Sequence, residues 1–324
     1  MDSKITRRRV SDLLQYDWLK IIGAILVIIA LWEILFSVTA VKITSEQTFR
    51  YFYDVGVYPT SSENFYRMVA SDKSYDTLSV ESGDTQASAS VMVARLDMHD
   101  VDIIISQKLQ DATNKDADIR AKTLIDDTFT FHIGSFEKLL SDAQSYLRLF
   151  LKDGATDQDI YDFDKMSIEK INANFLYRMQ GDNRFRTDSQ KAIGMIAEQN
   201  RIKDLCEQVE DFEKLLGKEN QGLFFEYTRF EQIKDNDSLS ESERAQYEKL
   251  YNENEKLKYG LNVGALKGGR NPSEFFTAGT TGNAQDIVIM YCDFVAYQPN
   301  MHFECIRFIN LIVRECTAPG FLDN

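Results

Sequence analysis

A chain of 324 residues, 44% hydrophobic and 27% charged, has the composition of a folded protein and enough length to bury a substantial core. Its formal net charge of −14 argues against a nucleic-acid partner and against a polybasic lipid-surface role; solubility is the default reason for such acidity.

The first element breaks the globular pattern. The run "IIGAILVIIALWEILFSVTAV", Ile21 to Val41, is bracketed by Lys20 and Lys42 and would extend roughly 30 Å as a helix, the thickness of a bilayer's hydrocarbon core. A single transmembrane signal-anchor over 18–42 is expected, after a basic cytoplasmic N-terminus of residues 1–17. Lys4, Arg7, Arg8, Arg9 and Lys20 precede the run closely while only Lys42 and Arg50 follow it, so the positive-inside bias places the remainder, 43–324, outside the cell membrane. Small residues at Val38-Thr39-Ala40 leave signal-peptidase cleavage open as the alternative, although the apolar run exceeds a usual signal core. Glu33, inside the span, is a candidate contact for a membrane partner, with snorkelling toward the surface as the plainer explanation.

After the span, "TFRYFYDVGVY" (Thr48 to Tyr58) predicts a strand, the stretch from Ser62 a short helix carrying Phe65, Met68 and Val69, and "DTLSVESG" a strand closed by Gly83. Ala87, Val91, Ala94 and Met98 recur on one helical face, and "VDIIIS" is short and apolar on both faces, as a strand of a parallel sheet would be. The resulting order β-α-β-α-β implies parallel crossover units and an α/β architecture.

Further on, Lys108 to Asp127 is polar and helical in character, "TFTFHIGS" is a strand candidate, and "SFEKLLSDAQSYLRLFL" is amphipathic at helical spacing. The segment 187–259 is expected to be a helical insertion: Ile202, Leu205, Cys206, Val209, Phe212 and Leu216 form a stripe ended by Gly217, and Ser240 with Glu243 has capping-box spacing. The chain then returns to strands in "YGLNVGAL" and "DIVIMYCDFVAY", joined by a glycine-rich link, and closes with a helix from Pro299 that buries Met301, Cys305, Phe308, Ile309 and Ile312. Cys206, Cys292, Cys305 and Cys316 all follow the span and form no C-x-x-C, so disulfides and buried thiols both stay open, except that Cys305 and Cys316 on one helix would lie about 16 Å apart and could not bond each other.

Recognised catalytic templates are absent: no G-x-S-x-G, H-E-x-x-H, Walker A or G-x-G-x-x-G occurs, and His99, His132 and His302 are widely separated, so neither an enzyme nor a metal or organic cofactor is expected. The acidic "KDGATDQDIYDFD" does not fit an EF-hand loop and reads as a solvated turn. "LKGGRNPS" and "TAGTTGN" could cradle an anion through backbone amides, or simply join two strands. Asp126-Asp127 and the aromatic "FRYFY" are equally two-sided, between packing and recognition.

The early pattern ending in "SVMVARLDMHDVDIIIS", with the late "LKYGLNV" and "DIVIMYCDFVAYQPNMHFECIRFINLIV", resembles bacterial extracellular solute-binding proteins of ABC transporters. The resemblance implies a helix-rich, two-lobed type 2 periplasmic-binding-like domain after the anchor, a small-molecule solute in the cleft between the lobes, and a membrane permease as partner. In that family a late strand returns to the first lobe and a helix packs on it. Open α/β sheets bind at the C-terminal ends of their strands, which nominates Tyr53 and Asp54, Gly83 and Asp84, and Ser106 and Gln107 as ligand-binding residues. The competing expectation is a relic of that fold that holds no solute and acts as a scaffold or regulatory subunit of a membrane complex. Both Trp residues, Trp18 and Trp32, precede the exported part, so any stacking on a sugar would fall to Tyr or Phe.

Overall fold

The computed structural model describes residues 18–40, 43, 47–60, 62–71, 78–84, 94, 101–108, 119–126, 133–218, 222–228, 240–242, 245, 256–279, 281–293 and 302–323. The N-terminal apolar run forms one helix, α1 (Trp18–Thr39), of 22 residues. It is long and apolar enough to cross a membrane, and the body leaves its apolar surface exposed. Glu33 is exposed on it.

The body follows in the order β1 (Thr48–Tyr53), β2 (Val57–Pro59), α2 (Ser62–Ala70), β3 (Ser79–Asp84), β4 (Ile103–Gln107), α3 (Ile119–Asp126), α4 (Phe136–Arg148), α5 (Ile168–Arg178), α6 (Asp188–Leu216), β5 (Phe224–Tyr227), β6 (Leu257–Asn262), β7 (Phe276–Ala278), β8 (Ile287–Tyr291) and α7 (His302–Cys316). Six strands make one mixed sheet in the order β3-β1-β4-β8-β6-β5, and β2 and β7 make a separate antiparallel pair. β1 lies parallel to both β3 and β4, whereas β8 runs antiparallel to β4 and to β6. A mixed α/β class is therefore observed.

Alternation along the strands sends side chains to two different cores. Phe49, Tyr51, Ile103, Ile105, Ile287, Ile289 and Tyr291 point to a thick layer containing α2, α4, α6 and α7. Phe52, Ile104, Val288 and Met290 point to the opposite side, where Ala121, Leu124 and Ile125 of α3 cover them. This explains the unbroken apolar run of β4: every residue from Ile103 to Gln107 is buried because both sheet faces are covered. Phe308 of α7 lies 5.8 Å from Phe49 and 5.2 Å from Tyr51, so the last helix packs on the first strand.

Several boundaries differ from expectation. The strand expected through Tyr58 breaks after Tyr53, because Gly56 at φ +82° turns the chain into β2. The glycine-rich link contains a strand, β7, which pairs with β2. Segment 187–259 is helical only in part: α6 runs to Leu216, is capped at Gly217, and Gly222 at φ +87° then leads into β5, whose aromatic Phe224 and Phe225 pair with β6. A capping box lies at Thr187 and Gln190, opening α6. The helix expected from Ala87 to Met98, the first five residues of "TFTFHIGS" and Glu243 of the expected capping box lie outside the described residues, apart from residue 94; Ile133 forms a bridge to Cys292. All four cysteines are free and buried, which settles the choice between disulfides and thiols.

Candidate functional site

β1 and β4 run parallel, so their C-terminal ends lie side by side, and the peptide N–H of Asp54 donates to the carbonyl of Ile105 at 2.9 Å. Asp54 is fully buried just past β1. Ser106 Oγ donates to its Oδ2 at 2.6 Å. Arg120 of α3 reaches it with two prongs, Nε to Oδ2 at 2.8 Å and Nη2 to Oδ1 at 2.7 Å. The planar fork fits the carboxylate in two places, which fixes orientation as well as charge. Gln107 closes the cluster, donating from Nε2 to the carbonyl of Val55 at 3.1 Å. The Arg120 N–H donates to the carbonyl of Lys108 at 2.8 Å, tying the start of α3 to the end of β4.

The structure thus brings Asp54, Ser106 and Gln107 together and adds Arg120, which motif reading missed. One sequence signal pointed to it: an aspartate at the end of a buried strand needs a cation, and Lys108 to Asp127 holds few candidates. Tyr53 and Gly83 go elsewhere. Tyr53 packs edge-on against Tyr51 at 6.0 Å in the core, and a Cβ on Gly83 would stand 1.9 Å from the Phe52 ring, so packing requires that glycine. Asp84 pairs with Tyr53 through backbone register.

Chemically the cluster is saturated. The Ser106 proton already points at Asp54, and both Asp54 oxygens are taken up by the Arg120 fork. That arrangement clamps two strand ends to a helix and does not activate a nucleophile.

The other sequence candidates resolve in the same direction. The amides of Gly269 and Arg270 donate to the carbonyls of Cys316 and Glu315, capping α7, so they are not offered to an anion. In the companion loop, Asn283 Oδ1 receives the Gln285 amide and Ser273 Oγ the Ala284 amide. A hollow of about 370 Å³ lies between these loops, lined by Lys267, Asn271, Ser273 and Gln285 among others. Within "KDGATDQDIYDFD", Asp157 pairs with Arg148, Asp159 accepts from Thr156 and Asp162 caps the Asp164 amide. Among the described residues no group of His, Cys, Asp and Glu could hold a metal ion.

A second polar cluster is more deeply buried. Glu198 and Arg201 of α6 meet Arg178 of α5 and Glu304 of α7, and Glu198 accepts from Arg201 at 2.7 and 2.8 Å. Burial alone would raise the Glu198 carboxyl, but the flanking Arg178 and Arg201 outweigh it and bring it down to about 2. Glu304 meets Arg201, and burial outweighs the neighbouring Arg201 and Arg307 to hold its carboxyl above the usual carboxylate range. A larger groove, about 760 Å³, opens where α5 ends and α6 begins.

No family model matches this chain, and comparison with curated proteins and with solved structures gives no match.

Proposed function

We propose that this chain is a membrane-anchored, extracytoplasmic scaffold or regulatory subunit of a membrane complex, built on a solute-binding-protein-like fold that does not carry a solute at its strand ends. The carrying observation is the saturation of Asp54 by Arg120 and Ser106, at the place where an open α/β sheet would hold its ligand. Kinship with solute-binding proteins, and with it a two-lobed ancestry, is supported by the parallel trio β3-β1-β4, by β8 returning to pair with β4, and by α7 packing on β1. The anchor is α1, with the basic residues before it in the cytoplasm and the body outside. Glu33, exposed on α1, would meet the partner within the bilayer.

One observation favours the receptor reading. Arg120 keeps about a fifth of its side-chain surface exposed, so an anionic solute could compete with Asp54 for the guanidinium. A thermal-shift screen of the full chain in detergent against sugars, oligopeptides, amino acids, polyamines, phosphate and calcium separates the two. A ligand at about 100 times its dissociation constant adds about 2.7 kcal/mol of stability. The scaffold reading predicts no shift with any class, and a membrane protein crosslinked through Trp32 that is lost with Glu33→Leu. A shift that disappears in Arg120→Ala would replace it with the receptor.

A further inference from the structure

We infer that the end of the body formed by the last turn of α5 and the first turns of α6 rests on the outer leaflet of the bilayer, with Tyr177, Ile193 and Ile196 entering the interface. The inference rests on the anchor reading proposed above.

The argument starts from where α1 stops. Its apolar stretch ends at Ser37, and the Ala40 N–H still donates helically to the Phe36 carbonyl. Ala40 is therefore only about 5 Å beyond the hydrocarbon boundary, within the headgroup layer. Asn183 donates from its side-chain amide to the Ala40 carbonyl, and Asn183 also lines the 760 Å³ groove. The groove thus sits at headgroup depth. Its apolar walls come from Leu176, Met179, Phe185 and Met195.

The outward surface of the same two helices is the unusual one. Tyr177 is 74% exposed, Ile193 69% and Ile196 59%. Ile193 and Ile196 are one helical turn apart on α6, and Gly194 between them packs under the Phe175 and Phe185 rings, so its own side is closed by protein while the isoleucines face out. Exposed isoleucines and a tyrosine on the two helices that flank Asn183, which meets the end of α1, match the amphipathic belt of an interfacial helix. Arg186 and Lys191 flank the groove together with Asp188, so charge does not select the lipid and the contact is apolar. This is compatible with the acidity of the whole chain, which disfavours electrostatic adsorption but not apolar insertion beside an existing anchor.

The full chain in phosphatidylcholine nanodiscs tests this by spin-label collision measurements with oxygen and a nickel chelate. The four native thiols are buried, which leaves single introduced cysteines as the labelling sites. Labels go at Ile193→Cys and Ile196→Cys, at Leu26→Cys inside the span, and at Glu210→Cys, about 25 Å further along the same helix. Ile193, Ile196 and Leu26 are exposed and Glu210 is half-exposed in a surface ion pair with Lys214, so the substitutions leave the core untouched. The expected result is a several-fold higher oxygen-to-nickel ratio at 193 and 196 than at 210, with the highest ratio at 26. A low ratio at 26 would remove the anchor itself. A high ratio at 26 with 193 and 196 as aqueous as 210 would overturn the leaflet contact alone. Labels at 193 and 196 shielded from both reagents would also overturn it, assigning the face to a protein partner or a second copy.

Discussion

Asp54 has no exposed surface, and its charge is tolerated only because Arg120 and Ser106 meet it. Taking away one partner of a buried pair strands the other, which typically costs about 3–5 kcal/mol. Arg120→Ala should therefore lower the stability of the full chain in detergent by that amount in urea unfolding, and Ser106→Ala by about 2 kcal/mol, the worth of a hydrogen bond to a charged group. The double replacement Asp54→Ala with Arg120→Ala should cost less than the sum of the singles, because neither charge is left alone. Additivity would show that the pair is not coupled. Gly56, two residues on, makes a different demand. It sits at φ +82°, and a Cβ there would stand 2.0 Å from Gln107 Nε2. Gly56→Ala should thus destabilise by about 1–3 kcal/mol through backbone strain and loss of the Gln107 to Val55 bond, and an unchanged urea midpoint would contradict that account.

Between elements, the contact that organises the helical layer is polar. Arg201 meets Glu304, Asp204 meets Arg307, Gln208 meets Asn310 and Asp211 meets Arg314, partners rising together along α6 and α7, so the two helices run parallel with one register. Glu198 stands at the head of this seam with a carboxyl lowered from the ordinary 4.5 to about 2. A lowered carboxyl stabilises the fold above its unfolded value and loses that contribution as pH falls from about 4.5 toward 2, an effect on the order of 3 kcal/mol. Glu198→Gln should accordingly be less stable than the native chain at neutral pH, with the gap closing across that interval; a gap constant with pH would dissociate Glu198 from acid unfolding. Glu304, held above its ordinary value, acts in the opposite sense, favouring the fold below 4.5 and losing that contribution as pH rises through its folded value. The seam also shows which parts of the fold the sequence made legible. The strands β1, β3 and β4 with α2 between the first two, the doubly buried Ile103–Ile105 and the apolar stripe of α6 were readable because each is a local periodicity. Arg201 and Asp204 on the same helix carry no such local signal, since their partners Glu304 and Arg307 on α7 lie about a hundred residues away. Likewise β5 and β7 are short strands fixed by pairing with β6 and β2, and Asp54, Ser106 and Gln107 were nominated from strand ends while Arg120 required the tertiary fold to bring α3 over them.

For the whole molecule, the decisive placement is that of β8. It lies between β4 and β6, so it is the only link in the six-stranded order between the N-terminal trio β3-β1-β4 and the later pair β6-β5. Its five residues are all buried, with Ile289 and Tyr291 on the thick side and Val288 and Met290 against α3. The same late segment supplies α7, whose Phe308 touches Phe49, Tyr51 and Phe65 at the other end of the chain. Neither half of the sheet therefore covers its own edge, and a buried edge without a ladder partner leaves unpaired N–H and C=O groups in a dry core. A chain ending at Asp286 should fail to give any cooperative transition of the body, whereas adding residues 287–324 as a separate co-expressed fragment should restore one if the missing element is the strand and helix themselves. Tryptophan provides an internal control in this experiment. Trp18 and Trp32 both lie on α1, outside the body, so their emission reports α1 while tyrosine circular dichroism reports the sheet and its helices. In nanodiscs the truncated chain should keep the blue-shifted tryptophan emission of an intact span and lose the near-ultraviolet tyrosine signal. A cooperative tyrosine transition in the truncated chain would show that the N-terminal trio folds without β8, and that the late strand is an addition to a completed sheet.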